Sequence, residues 1–208
     1  QDKLMCTAKI TTEKKLLIFT NIGKVYSIHA NKLKIKNNDF EPIRKYLNLT
    51  QDEYILHVNE YSLDGPDLIL ISKKGKGMIS KQKEMLTSTR NGKVVINLAR
   101  GVSVCAVRQV SGSHIAVISD SGNLLVFSHE DIKRLSRGSG IIFQNLKNGT
   151  IIDITSANPN EVINLVNKNT SRSIIKIDTS DYLSKRGRVG KSLKLRNRSN
   201  IPLLRFSK

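Results

Sequence analysis

The stretch "IAVISDSGNLLVF", residues 115 to 127, sets two apolar runs on either side of Asp-Ser-Gly-Asn. Val, Ile, Leu and Phe favour extended backbone, and a glycine among Asn and Ser reverses the chain at low cost because positive φ is open to it, so the stretch reads as a β-hairpin. The same grammar recurs in "LLIFTNIGKVYSI" from residue 16, "LILISKKGKGMIS" from 68 and "INLVNKNTSRSIIKI" from 163. Aligned on the turn, Gly23, Gly75, Gly122 and Thr170 are 52, 47 and 48 residues apart. Thr170 stands where the other units have glycine, which predicts a longer turn or one of another type in the fourth.

A fixed period of this size marks repeated supersecondary units, as in propellers and arrays. After each hairpin comes a short helix-compatible segment: "HANKLK", "KQKEML", "HEDIKRL" and "TSDYLSK". Ser128 and Thr179 read as N-caps of the last two, whose acids precede their bases as the helix dipole prefers. In units two to four a basic glycine turn then enters another strand, in "RNGKVVINL" from 90, "RGSGIIFQNL" from 137 and "RGRVGKSLKL" from 186, where the first unit has "DFEPIRKYLNL". A last strand per unit is read in "YILHVNEY" from 54, "VSVCAVRQV" from 102, "TIIDITSA" from 150 and "NIPLLRF" from 200. Four strands in about 48 residues is the arithmetic of a propeller blade. "LMCTAKIT", residues 4 to 11, is then expected to close a blade begun upstream, so that the chain starts inside a larger architecture. No low-complexity linker divides residues 1–208, which are expected to form one domain.

The 208 residues carry 35 Lys and Arg against 17 Asp and Glu, a net charge of +18. Such a surface repels itself until a polyanion compensates it, which makes nucleic acid the first partner to expect and an anionic membrane the second. A membrane-spanning helix needs about 20 apolar residues in a row, and stretches such as "VVINLA" at 94–99 fall far short. Cys6 and Cys105 stand alone, without the spacing of a zinc site or a disulfide framework. A soluble chain in a reducing cytoplasm is the expectation.

The succession of "ISKKGKGMI", "RNGKVVINLARGVSVCAV", "AVISDSGNLLVF", "LSRGSGIIFQNL" and "KRGRVGKSLKLR" resembles the C-terminal domain of ParC, the A-type polypeptide of bacterial DNA topoisomerase IV, with the paralogous gyrase domain as the near alternative. The resemblance implies an all-β, propeller-like β-pinwheel of four to five four-stranded blades that exchange a strand with their neighbours. It also implies a basic perimeter around which double-stranded DNA bends. The glutamine-led basic box of gyrase is absent from these residues, and "RGRVGKSLKLR" followed by "IPLLRF" looks like the end of the topoisomerase IV domain. For the whole enzyme it implies a heterotetramer of the full ParC-type polypeptide with its ATPase partner, Mg2+ and ATP bound outside this domain, and a place on the nucleoid. No cofactor is expected in this chain.

If duplex DNA is the ligand, cations held by rigid turns neutralise phosphates, and glycines let backbone N–H groups approach phosphate oxygens. The turn cations expected to do this are Arg90 and Lys93, then Arg134 and Arg137, then Lys185, Arg186, Arg188, Lys191, Lys194, Arg196 and Arg198. Lys24, Lys73, Lys74 and Lys76 in the hairpin turns form a second tier. Each lysine alone could be a solvated surface charge. The 185–198 cluster could be a disordered tail, but Leu193 and Leu195 alternate with Lys194 and Arg196, which indicates a strand with one buried face. The chain has no Trp and no recognition-helix pattern, so selection through the deformability of the duplex is expected instead of base readout.

No active site is legible. His29, His57, His114 and His129 lack ligand spacing or a partnered acid, and there is no GxSxG, P-loop or HExxH. Two rivals to the DNA-bending module are a propeller that scaffolds proteins, which has no use for +18, and an enzyme with a rim or channel site, which needs converging acids or histidines.

Overall fold

A computed structural model describes residues 11–33, 35–36, 39–167, 174–194 and 201–207. Each apolar run is a strand and each quoted repeat a hairpin: Lys15–Thr20 with Lys24–His29, Leu68–Ser72 with Lys76–Ser80, His114–Ser119 with Asn123–Ser128, and Val162–Asn167 with Ile174–Asp178. Gly23, Gly75 and Gly122 turn the first three at φ +81°, +79° and +77°. The first arm of each hairpin pairs on its other side with the expected last strand, Ile55–Glu60, Val104–Gln109, Ile151–Ala157 and Leu204–Phe206 respectively. In the first three sheets the register slips at the same point, after Phe19, Ile71 and Ile118. The repeat therefore extends to its β-bulge.

The fourth strand of each complete sheet comes from the following unit. Lys93–Val94 joins the first hairpin, Ile141–Ile142 the second and Lys191–Ser192 the third. It is only two residues long, because the incoming chain docks chiefly on the turn glycine. Gly23 O accepts from Val95 N at 2.9 Å, Gly75 O from Phe143 N at 2.8 Å and Gly122 O from Leu193 N at 2.8 Å. A Cβ on Gly75 would lie 2.3 Å from Gln144 O. The glycine is thus required twice, by its positive φ and by the chain that crosses it. The fourth sheet has three strands, and a ribbon pairs Ile35–Lys36 with Asp39–Phe40.

The central runs of the hairpin strands, such as residues 16–19, 68–71, 115–118 and 124–127, are apolar because both of their faces are covered. Leu68 and Leu70 pack toward the first sheet with Leu17, Phe19 and Val25. Ile69 and Ile71, on the opposite face, pack toward the third with Ile115, Val117 and Phe127. Ala116 and Ile118 in turn meet Ile163, Leu165 and Phe206 of the fourth. Period-two alternation therefore sorts side chains between neighbouring blade interfaces. Phe127 and Phe143 meet edge to face at 5.4 Å, a geometry that brings the ring edge onto the π-face.

The helix-compatible segments form single 3-10 turns, Ala30–Lys32, Gln82–Met85 and Thr179–Tyr182, and residues 129–135 form no helix. Thr179 is not the cap expected of it. Asp178 caps, accepting from Ser180 N, while buried Thr179 donates through its hydroxyl to Asn158 O and accepts from Glu161 N. Hydrogen bonding to the Ser180 hydroxyl, and then to its backbone N–H, holds the Asp178 carboxyl below the ordinary range. Residues 4–10, Thr170, Leu195, Arg196 and Arg198 lie outside the described residues.

Candidate nucleic-acid interface

The crossing chains that supply the fourth strands also bond to one another and, through Asn48, to the first unit. Asn48 N donates to Arg90 O at 2.8 Å, Asn97 N to Gly138 O at 2.8 Å, and Asn145 N to Arg188 O at 3.0 Å. The three rungs occupy equivalent places in successive units. They tie the basic glycine turns into a continuous backbone belt from the first sheet to the third. Gly92, Gly140, Gly187 and Gly190 all have positive φ in these turns, the conformation that tightens the chain where the cations are displayed.

The expected contact residues fall into three groups. Lys73, Lys74, Lys76, Arg137, Lys185, Arg188 and Lys194 are exposed. Four others are anchored on main-chain carbonyls, which fix the side chain, and none of the four has a carboxylate partner among the described residues. Arg90 donates to Tyr46 O and Lys45 O, Lys93 to Glu84 O, Arg186 to Ile142 O and Lys191 to Asp181 O. In the last group the charge is countered within the fold: Lys24 lies 3.9 Å from the buried Glu53 carboxylate, and Arg134 pairs with Asp67 at 2.9 Å while donating to His129 O and Ile132 O.

Arg186 spans two units, reaching from the last basic turn to the strand added to the second hairpin, and Gly187 N donates to Phe143 O beside it. The cluster from 185 to 194 is thus a folded turn, with Leu193 2% exposed.

Sequence reasoning passed over Arg100 and Lys147, which are exposed beside the positive-φ residues Gly101 and Gly149. The two glycines are 48 residues apart in "ARG" and "KNG", a second basic-glycine signal in the repeat. Lys147 shares a cleft of about 230 Å3 with Ser121 of a hairpin turn and Val189 of the last basic turn.

Three of the four histidines are built into the scaffold. His129 is buried with Nε2 2.5 Å from Gly112 O, His114 Nδ1 meets Ser113 Oγ at 2.8 Å, and the His57 ring packs near Phe19. Among the described residues no cluster of His, Cys, Asp or Glu could hold a metal ion, and no helix is long and apolar enough to cross a membrane.

The family described as "DNA gyrase C-terminal domain, beta-propeller" matches residues 14–39, 66–111 and 113–158, more than half of the chain. Relatives include the A-type polypeptide of DNA topoisomerase 4 from Caulobacter vibrioides, 32% identical over 76% of this chain and 20% of its own length. Its counterpart from Rickettsia bellii is 27% identical over 86% of this chain and 24% of its own length. The chain thus spans about a quarter or less of these relatives. In fold it is similar to the C-terminal domain of E. coli ParC, with a TM-score of 0.78 at 20% identity over 92% of this chain and 81% of that one. It is also similar to a DNA topoisomerase IV C-terminal domain, with a TM-score of 0.77 at 19% identity over 93% of this chain and 64% of that one. The chain belongs to the DNA gyrase C-terminal domain family, and its fold is the β-pinwheel of that family.

Proposed function

We propose that this chain binds and bends duplex DNA, without reading its sequence, as part of a type II topoisomerase of the topoisomerase IV kind. In that role it presents segments of duplex to an ATP-dependent enzyme that decatenates and relaxes DNA in the bacterial cytoplasm. Its partners are then the rest of the ParC-type polypeptide and a separate ATPase polypeptide. The observation that carries the reading is the rung-linked belt, on which exposed and carbonyl-anchored cations succeed one another at the spacing of the repeat. A stiff polyanion gains a phosphate contact at each turn only by curving along that belt, and each contact releases counterions. The DNA topoisomerase 4 relatives support the topoisomerase IV branch over gyrase. Introduction of negative supercoils by the intact enzyme would reassign it to gyrase.

The test is duplex binding by fluorescence anisotropy across a salt series. Log affinity is expected to fall linearly with log salt, by about 0.9 per phosphate contact, and equally for unrelated sequences. Affinity that ignores salt would instead support the protein scaffold.

A further inference from the structure

The first sheet departs from the next two at one position. In the second, Leu135 N donates to Ile79 O at 2.9 Å, and in the third Ser184 N donates to Val126 O at 2.9 Å. Ile79 and Val126 each stand four residues past the hairpin glycine and are fully buried. The equivalent residue of the first sheet is Ser27, and there Thr87 N donates at 2.9 Å to the side-chain Oγ instead of the main-chain carbonyl. Bonded to the hydroxyl, the crossing chain stands away from the strand. A cleft of about 570 Å3 opens where the crossing chain closes on the other two sheets.

What lines this cleft is uneven in charge. Lys15, His29, Lys32, Lys45 and Arg90 contribute to the wall, and among the described residues no carboxylate does. Lys45 is paired with Glu41 at 2.6 Å and Arg90 is held by the Tyr46 and Lys45 carbonyls, which leaves Lys15 and Lys32 as the freer cations. The hydroxyls of Thr87, Ser88 and Thr89 stand beside them, and Ile28, Leu47 and Leu86 supply an apolar floor. Cations and hydroxyls without acids select an oxyanion. The floor and the volume select something larger than inorganic phosphate, within the range of small-ligand pockets.

We propose that this cleft is a binding pocket for a phosphate-bearing ligand of mononucleotide size. The phosphate sits among Lys15, Lys32, Arg90 and the 87–89 hydroxyls, and the base lies on the apolar floor. The ligand is either a free nucleotide or one nucleotide of a nucleic-acid strand. Because Arg90 belongs to both the pocket and the belt, an occupant sits where duplex would meet the first basic turn.

The experiment titrates the chain with a fluorescent nucleoside diphosphate, then competes with pyrophosphate, oligoglutamate and duplex DNA. Ser27→Ile, which installs the residue of the second sheet, is expected to weaken tracer binding about tenfold or more. The belt cations are untouched by this change, so a fall in duplex affinity beyond about twofold reports the pocket itself. Lys15→Glu with Lys32→Glu tests the pocket without filling it and is expected to lose tracer to a similar degree with unchanged circular dichroism. Duplex competes with either occupant through the shared Arg90, so the source is read from Ser27→Ile: duplex affinity that falls together with tracer binding makes the occupant a nucleic-acid nucleotide, and unchanged duplex affinity a free one. No tracer binding by the wild type, equal binding by both variants, or displacement by oligoglutamate as effective as by pyrophosphate would each overturn the pocket. Failure of the DNA reading would appear separately, as salt-independent or absent duplex binding by the wild type.

Discussion

Arg108 Nη2 donates to Asp153 Oδ1 at 2.9 Å, joining the inner strand of the second sheet to that of the third. The Asp153 side chain is 3% exposed, and it also accepts from Ile154 N at 2.8 Å and, from the fourth sheet, Phe206 N at 2.9 Å. One carboxylate thus holds three inner strands together. On the other side of the second sheet Gln109 Nε2 donates to Asn59 Oδ1 at 2.7 Å, extending the polar chain to the first.

Arg108→Met keeps the apolar stem and leaves Asp153 buried without its counter-charge. Breaking a buried pair from one side costs about 3 to 5 kcal/mol, and the partial exposure of Arg108 moves the expectation toward about 2 kcal/mol. Urea unfolding measures it, and a midpoint equal to the wild type would remove the hub from the account.

Gly75 and Gly101 separate the two demands made of turn glycines. Gly101, at φ +76°, has nothing within 4 Å of an added Cβ, whereas at Gly75 the Cβ meets Gln144 O. Gly101→Ala is expected to cost about 1 kcal/mol from the left-handed backbone alone. Gly75→Ala adds displacement of the crossing chain and should cost at least about twice as much. Equal losses in thermal melts would show that the crossing strand yields freely.

Hairpins, inner strands and the period could be read because each depends on local residue type: β-branched runs, a turn glycine, recurrence. The helix-compatible segments, six or seven residues long, permit one or two turns at most, and nucleation cost leaves single 3-10 turns in three of them; only at 129–135, despite the N-capping chemistry of Ser128, is there no helix. The contrast between Arg134 and Arg137 was also out of reach. Both stand in "KRLSRGSG", but Asp67, 67 residues away in sequence, neutralises the first. Only the fold brings such a partner in. Likewise Ser27, aligned on the turn glycine, stands against Ile79 and Val126, but only the fold shows the Thr87 N–H turning to its hydroxyl.

Arg186, Arg188 and Lys191 lie on one turn, two of them anchored on carbonyls. Reversal of all three to Glu is expected to weaken duplex binding more than about tenfold with little change in circular dichroism. Arg134→Gln should do the opposite, lowering stability by about 1 kcal/mol through loss of Asp67 and two carbonyl acceptors while duplex affinity stays level. Unchanged affinity after the triple reversal would eliminate this turn as a DNA contact.

Tyr26 is buried, and its hydroxyl donates to Glu53 Oε1 at 2.9 Å while Thr20 Oγ1 donates to the same oxygen at 2.8 Å. Burial first, then the hydrogen bond to Glu53, then that carboxylate's charge push the phenol well above the ordinary tyrosine range. The folded chain therefore keeps this proton at a pH where the unfolded chain, titrating near 10, has released it. Stability from this group is complete below about pH 10 and declines above it, by about 1.4 kcal/mol per pH unit, until the folded phenol itself ionises. Tyr26→Phe should cost about 1.5 to 3 kcal/mol near neutrality, because a fully buried Glu53 loses a donor. Its urea midpoint should then fall less steeply than the wild type's between about pH 9 and about pH 11. Parallel declines in the two proteins would mean that the phenol ionises as readily in the fold as outside it.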